Sequence, residues 1–174
     1  MNDSERPRIA VSACLLGEAV RYDGTDKRSA AVCENLGDDF DLVGICPEVG
    51  IGLGVPRPPI ELVLEPNGVR VLGVEDRSLD VTESLRRYAR QVPGLPGEIA
   101  GYVFKARSPS CALCDASLHD HAGQVRGYRA GMYADEVVRL HPELPVADEK
   151  ELEDDEARAA FETRVRDYHQ RLSR

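Results

Sequence analysis

The stretch "RIAVSACL", Arg8 to Leu15, decides the fold. Its continuous β-branched and apolar side chains predict a buried strand that ends at a cysteine. Three further apolar runs follow along the chain: "DLVGIC" (Asp41 to Cys46), "GVRVLGV" (Gly68 to Val74) and "GYVFKA" (Gly101 to Ala106). Because these runs are continuous rather than alternating, they predict a parallel sheet that is covered on both faces.

Helical stretches separate and follow the predicted strands. "KRSAAVCENL" comes after the first strand, and "DVTESLRRYARQV" begins at Asp80, a candidate N-cap. The predicted helices cover residues 27–36, 80–92, 130–140 and 154–172. This alternation predicts an α/β fold with a mostly parallel sheet, in a single domain over residues 1–174 with its core at about 8–170. The Pro- and Gly-rich segment 47–59 is expected to form a long structured loop without helix or strand.

The composition limits the class of protein. Of the 174 residues, 42% are hydrophobic and 30% are charged, as in ordinary globular chains. The net charge of −9 argues against general nucleic-acid binding, because a phosphate backbone requires a basic surface. No apolar run approaches the ~20 residues of a membrane span, and the polar N-terminus does not resemble a signal peptide. We therefore expect a cytoplasmic protein without a membrane partner, whose five cysteines serve metal binding or catalysis rather than disulfides.

The positions of three cysteines point to one site. Cys14 and Cys46 end the first two predicted strands, and Cys111 follows the fourth strand by a short turn. The carboxyl ends of parallel strands share one edge of a sheet, so these thiols are expected to converge there. Thiolates prefer soft centres such as zinc or iron–sulfur clusters, and three ligands leave a position open for chemistry. Cys33 lies inside a predicted helix instead, and Cys114 lies further along its loop.

Zinc sites are the alternative interpretation of the same cysteines. Cys111, Cys114, His119 and His121 are close in sequence, but they do not have the C-x2-C…H-x3–5-H spacing of a zinc knuckle. The zinc deaminases place an H-x-E motif before P-C-x-x-C, whereas here "HPE" at residues 141–143 comes after the cysteines. A zinc-dependent hydrolase or deaminase-like enzyme, and a non-catalytic iron–sulfur or redox protein, therefore remain as competing functions.

Four polar residues lie near the proposed thiol site. Glu48 is two residues past Cys46 and is a candidate general acid or base. Ser108 and Ser110 precede Cys111 and are candidates to orient water or substrate. Arg57 stands between prolines on a stiff loop and is a candidate for binding a phosphate or carboxylate. No G-x-G-x-x-G or G-K-[ST] motif occurs, so neither a dinucleotide site nor a P-loop is indicated.

Taken together, four segments resemble the thiouracil desulfidase family. These segments are "VSACLLGEAVRYDG", "LVGICPEVGIGLGVPRPPIEL", "VFKARSPSC" and "HPELPVADEKELEDDEARAAFETRV". The resemblance runs from about Ile9 to Tyr168 and implies a Rossmann-like α/β domain with a four-iron four-sulfur cluster. It implies that Cys14, Cys46 and Cys111 hold the cluster and leave one iron open.

The resemblance also implies a reaction and its residues. Glu48 matches the family's catalytic Glu, and Ser108, ahead of Ser110, matches its catalytic Ser. The "RYDG" segment (Arg21, Tyr22 and Asp23, followed by glycine) matches a family motif that is expected to line the substrate pocket.

The implied activity is non-redox hydrolysis of a thiolated pyrimidine to its uracil form and sulfide. The implied substrate is thiouracil, thiouridine or thiouridine monophosphate. Ala112 and Ile51 replace glycines that are common in the family, and both add a side chain near the expected site.

Overall fold

The computed structural model describes residues 6–92, 94–95 and 97–174. Within these residues the chain forms a mixed α/β structure in which eight strands make two sheets of four strands each. No helix in the described residues has the length and apolarity needed to cross a membrane.

The first sheet is parallel throughout and is built around β1. Its strands lie in the order β2-β1-β5-β8, and every neighbouring pair is parallel. The strands are β1 (Arg8–Ser12), β2 (Asp41–Ile45), β5 (Ile99–Phe104) and β8 (Val146–Asp148). The apolar run at β5 is buried at every position, as the parallel-sheet prediction requires.

Helices cover both faces of this sheet, as the contacts of two successive residues of β5 demonstrate. Gly101 faces α5 (Asp155–Leu172), where an added Cβ would lie 2.7 Å from the Cγ2 of Val165. Tyr102 points to the opposite face and shares a 2.8 Å hydrogen bond with the hydroxyl of Tyr133 in α4 (Met132–Leu140). Since successive side chains of a strand point to opposite faces, the two helices lie on opposite sides of the sheet. The expected α/β fold with a mostly parallel sheet is confirmed.

The second sheet corrects one part of that expectation. It consists of two hairpins in the order β4-β3-β6-β7, from β3 (Ile60–Glu65), β4 (Gly68–Gly73), β6 (Ala116–His119) and β7 (Val125–Arg129). The run at residues 68–74, predicted as a strand of the parallel sheet, instead pairs antiparallel with β3 across the two-residue turn Pro66-Asn67. A two-residue connection joins only antiparallel strands, so β4 is antiparallel to β3. Neither strand pairs with the parallel sheet.

The three remaining helices differ from their sequence predictions. The predicted helix over residues 27–36 forms only α1 (Ala30–Cys33), because Ser29 caps the backbone N–H of Val32 and starts the helix late. The loop predicted over residues 47–59 contains a short helix, α2 (Pro47–Gly50), which begins with the proline. Proline suits the first turn of a helix, where its missing N–H is not needed. α3 (Thr82–Ala89) lies within the predicted stretch 80–92.

Candidate active site

Three cysteine thiols meet at one edge of the parallel sheet. Cys14 lies in the 3-10 turn that follows β1, Cys46 directly follows β2, and Cys111 lies in the turn after β5. β2, β1 and β5 are parallel neighbours, so their carboxyl ends lie side by side. All three cysteines line one cavity of about 840 Å³. The structure thus brings together the three cysteines that the strand-end argument selects.

The turn that carries Cys111 is fixed by its own serine and by the start of α4. Ser108 Oγ accepts hydrogen bonds from the backbone N–H groups of Ser110 (3.2 Å) and Cys111 (3.0 Å). Gly131, just before α4, donates its N–H to the carbonyl of Ala112 at 2.8 Å. A Cβ on Gly131 would lie 2.5 Å from the carbonyl carbon of Ser110, so only glycine allows this close approach.

Burial keeps the three thiols protonated when nothing is bound to them. Desolvation raises the pKa of Cys14 from 9.0 to about 11, despite the opposing charge of Lys105. Desolvation also raises the pKa of Cys46, and it raises that of Cys111 well above its ordinary value. Binding of the three thiols to a multi-metal centre offsets this effect, because metal coordination deprotonates thiols. The chemistry of the donor set therefore fits a thiolate-ligated metal centre.

Glu48 extends from α2 to the same cavity and is held at both carboxylate oxygens. Arg57 Nε donates to Oε1 at 3.1 Å, and Ser110 Oγ donates to Oε2 at 3.1 Å. The exposed fraction of the Glu48 side chain is 15%, and that of Arg57 is 3%. Glu48, Arg57 and Ser108 line the cavity, whereas the fully buried Ser110 is not one of its lining residues.

The "RYDG" residues divide between the cavity and the surface. Arg21 and Tyr22 line the cavity, and the Arg21 guanidinium lies over the Tyr22 ring at 5.7 Å from its centroid. Asp23 does not line it. Its carboxylate accepts hydrogen bonds from the N–H and hydroxyl of Thr25, which lower the pKa of Asp23 and shape the turn.

Lys105 and Glu149 also line the cavity, and sequence reasoning did not select them. Lys105 Nζ lies 2.8 Å from Glu149 Oε1. Each residue comes directly after a strand of the parallel sheet, β5 or β8. The strand-end argument does not identify Lys105, because the predicted strand runs to Ala106 whereas β5 ends at Phe104. It misses Glu149, because the three-residue β8 has no apolar run to mark it.

Arg107 is a further lining residue with an unusual backbone. Its φ is +64°, in the left-handed region that residues other than glycine seldom adopt. The Asp115 carboxylate stabilises this turn by accepting the Arg107 N–H at 2.7 Å. Ser108, Pro109 and Cys111, which follow this turn, line the cavity.

The residues of the zinc alternatives do not come together. Cys114 is exposed, His119 pairs with Glu61, and His121 pairs with Glu65. Across residues 6–92, 94–95 and 97–174, no group of three or more His, Cys, Asp or Glu side chains is close enough to hold a single metal ion. Ligands of a multi-iron cluster bind different irons, so they need not meet the spacing of a single-ion site.

Comparison with known proteins decides the family. The 2-thiouracil desulfurase family matches residues 9–149 of the chain. The chain belongs to this family. The match spans Cys14, Glu48, Ser108 and Cys111, and the family resemblance of the sequence motifs is confirmed.

Two relatives of this 2-thiouracil desulfurase family member extend the comparison. The uncharacterized protein YbbK of Bacillus subtilis (strain 168) is 34% identical over 110 residues, which cover 59% of this chain and 72% of YbbK. A solved structure of TudS, a [4Fe-4S]-dependent thiouracil desulfidase, has a TM-score of 0.67 and 33% sequence identity. That match covers 90% of this chain and 99% of the TudS chain.

Thiol labelling tests the burial of the site. In protein prepared without metal, Cys114 is expected to react with iodoacetamide at about pH 8 well before Cys14. Cys114 is exposed, whereas Cys14 has a pKa of about 11 and so carries little thiolate at that pH. Raising the pH toward that pKa increases the thiolate fraction and should accelerate labelling of Cys14. Mass spectrometry of tryptic peptides measures both rates, and equal rates at about pH 8 would contradict the burial of Cys14.

Proposed function

We propose that this chain is an iron–sulfur-dependent, non-redox desulfidase that converts a thiolated pyrimidine to its uracil form and releases sulfide. The observation that carries the proposal is the convergence of one buried thiol, two half-buried thiols and one ion-paired carboxylate on a single cavity. Family membership and the likeness to TudS support it. In the proposed reaction one water replaces sulfur, so that C=S and H₂O give C=O and H₂S.

Cys14, Cys46 and Cys111 are the proposed ligands of a [4Fe-4S] cluster. They are the cysteines of the described chain that line the cavity, and thiolates are the usual ligands of such clusters. When bound, the cluster supplies a Lewis-acidic iron without a protein ligand, suited to polarising the thiocarbonyl sulfur. Cys33 donates to the carbonyl of Leu15, and Cys114 faces solvent, so neither is part of the proposed set.

Glu48 and Ser108 are the proposed catalytic residues. The Glu48 carboxylate accepts a proton from the attacking water and returns it to the departing sulfur. Ser108 Oγ accepts two backbone N–H bonds, which leaves its hydroxyl proton free to orient water or substrate in the cavity. The ion pair of Glu48 with Arg57 favours an enzyme over a non-catalytic cluster carrier, because it holds a carboxylate at the cavity that cluster binding alone does not require.

Cations at the cavity favour the nucleotide form of the substrate. Five basic side chains line the cavity besides Arg57, namely Arg21, Lys27, Arg28, Lys105 and Arg107. Within the described residues, Lys27 and Arg107 form no ion pair with an acidic side chain. A chain of net charge −9 that gathers cations at one cavity is suited to an anionic ligand. We therefore place thiouridine monophosphate ahead of the free base and the nucleoside.

Replacing Glu48 tests the proposed chemistry. Glu48→Gln keeps the size of the side chain but removes the proton acceptor, so kcat should fall about 100-fold or more. Iron and sulfide content should stay at the wild-type level, because Glu48 is not a proposed ligand. Glu65→Gln is the matched control, since Glu65 pairs with His121 away from the cavity. Full turnover by Glu48→Gln would exclude its acid–base role.

The substrate form is tested by neutralising two cations. The double variant Lys27→Gln/Arg107→Gln should raise KM for thiouridine monophosphate about 10-fold, since charged hydrogen bonds to the phosphate are lost. The kcat/KM for free thiouracil should not change. Arg126→Gln/Arg166→Gln serves as the control, because these residues pair with Asp120 and Asp39 outside the cavity. An equal effect on both substrates, or none on either, would count against phosphate recognition.

A further inference from the structure

We propose that Arg57 and Ser110 are positioning residues that act by holding the Glu48 carboxylate in place. The inference rests on the proposed role of Glu48 as the proton acceptor. The sequence-based expectation for both residues is direct substrate binding, whereas their contacts are with the carboxylate. Arg57 occupies Oε1, and Ser110 occupies Oε2, each at 3.1 Å.

Arg57 is held on the side away from the carboxylate as well. Its Nη1 donates to the carbonyl of Gly54 at 2.9 Å, and its backbone N–H donates to the carbonyl of Tyr22 at 2.8 Å. The exposed fraction of its side chain is only 3%. The Gly54 carbonyl therefore fixes the guanidinium, and the Tyr22 carbonyl fixes the backbone that carries it. The planar guanidinium then holds the Glu48 carboxylate in a defined position.

Ser110 contacts Glu48 from a fully buried position. Its exposed fraction is 0%, and it does not line the cavity, so its hydroxyl does not reach a substrate there. Its carbonyl accepts the N–H of Ala134 at 3.0 Å, which ties the residue to the first turn of α4. The hydroxyl that donates to Oε2 is therefore anchored by a helix rather than by a mobile loop.

The contacts with Arg57 and Ser110 together fix the orientation of the plane of the Glu48 carboxylate. Arg57 is charged and lies on the loop after α2, whereas Ser110 is neutral and lies on the turn after β5. Because each residue holds one carboxylate oxygen, rotation of the carboxylate about its Cγ–Cδ bond would break both hydrogen bonds at once. Correct placement of a reacting group contributes strongly to rate, and small misplacement is costly. Ser110 therefore affects turnover without touching substrate.

A double-mutant cycle between Ser110 and Glu48 tests this inference. Ser110→Ala should lower kcat about 10-fold with KM within about twofold, because the carboxylate keeps its charge but loses one tether. In the Glu48→Gln background, the same change should have no further effect on the single-turnover rate. Ser78→Ala is the control, since its hydroxyl also donates to a carboxylate, that of Asp76 at 2.6 Å, outside the cavity.

The outcomes separate this inference from the proposed function. A higher KM with unchanged kcat in Ser110→Ala, or a full additional loss in the Glu48→Gln background, overturns the positioning role. A wild-type protein that carries its cluster but turns over no thiopyrimidine overturns the proposed function itself. If Ser110→Ala does not fold, Arg57→Lys decides by the same comparison of kcat with KM, and Arg77→Lys is its control because Arg77 pairs with Glu61 away from the cavity.

Discussion

The parallel pairing of β2, β1 and β5 is the constraint on which the rest of the structure depends. It places the ends of three strands side by side. Cys46 directly follows β2, whereas Cys14 and Cys111 lie in the turns after β1 and β5. Because parallel strands need crossover connections, these cysteines are far apart in sequence although they share a cavity. α4 supports the arrangement from outside by holding the turn that carries Cys111.

The same arrangement disfavours ionised thiols unless a metal centre binds them. One buried and two half-buried thiols have raised pKa values, and a largely buried ion pair, Glu48 with Arg57, lies beside them. Burying ionisable groups without function is unfavourable, so their concentration in one cavity is typical of a reactive site. Metal binding and folding are expected to be coupled here, because deprotonation of the thiols becomes favourable only when the centre is bound.

Sequence reasoning located the parallel sheet and the strand-end cysteines, because long apolar runs and residue spacing are local signals. It missed β6, β7 and β8, which are short or rich in polar residues. It also missed β3, which directly follows the Pro- and Gly-rich segment 47–59. It also placed the strand at residues 68–74 in the wrong sheet, since partner choice depends on tertiary pairing. The contact between Ser110 and Glu48 spans 62 positions, and no local pattern predicts it. Glu149 was missed for the same reason, because β8 is recognised only by its pairing with β5.

The most direct test of the account is metal analysis of protein reconstituted anaerobically with iron and sulfide. Wild-type protein and Cys114→Ala are expected to hold about four irons and four sulfides per chain, and Cys111→Ala is expected to lose them. Cys114 is the appropriate control because it lies three residues from Cys111 but is exposed. Iron bound equally by all three proteins, or zinc without iron in the wild type, would contradict the proposed site.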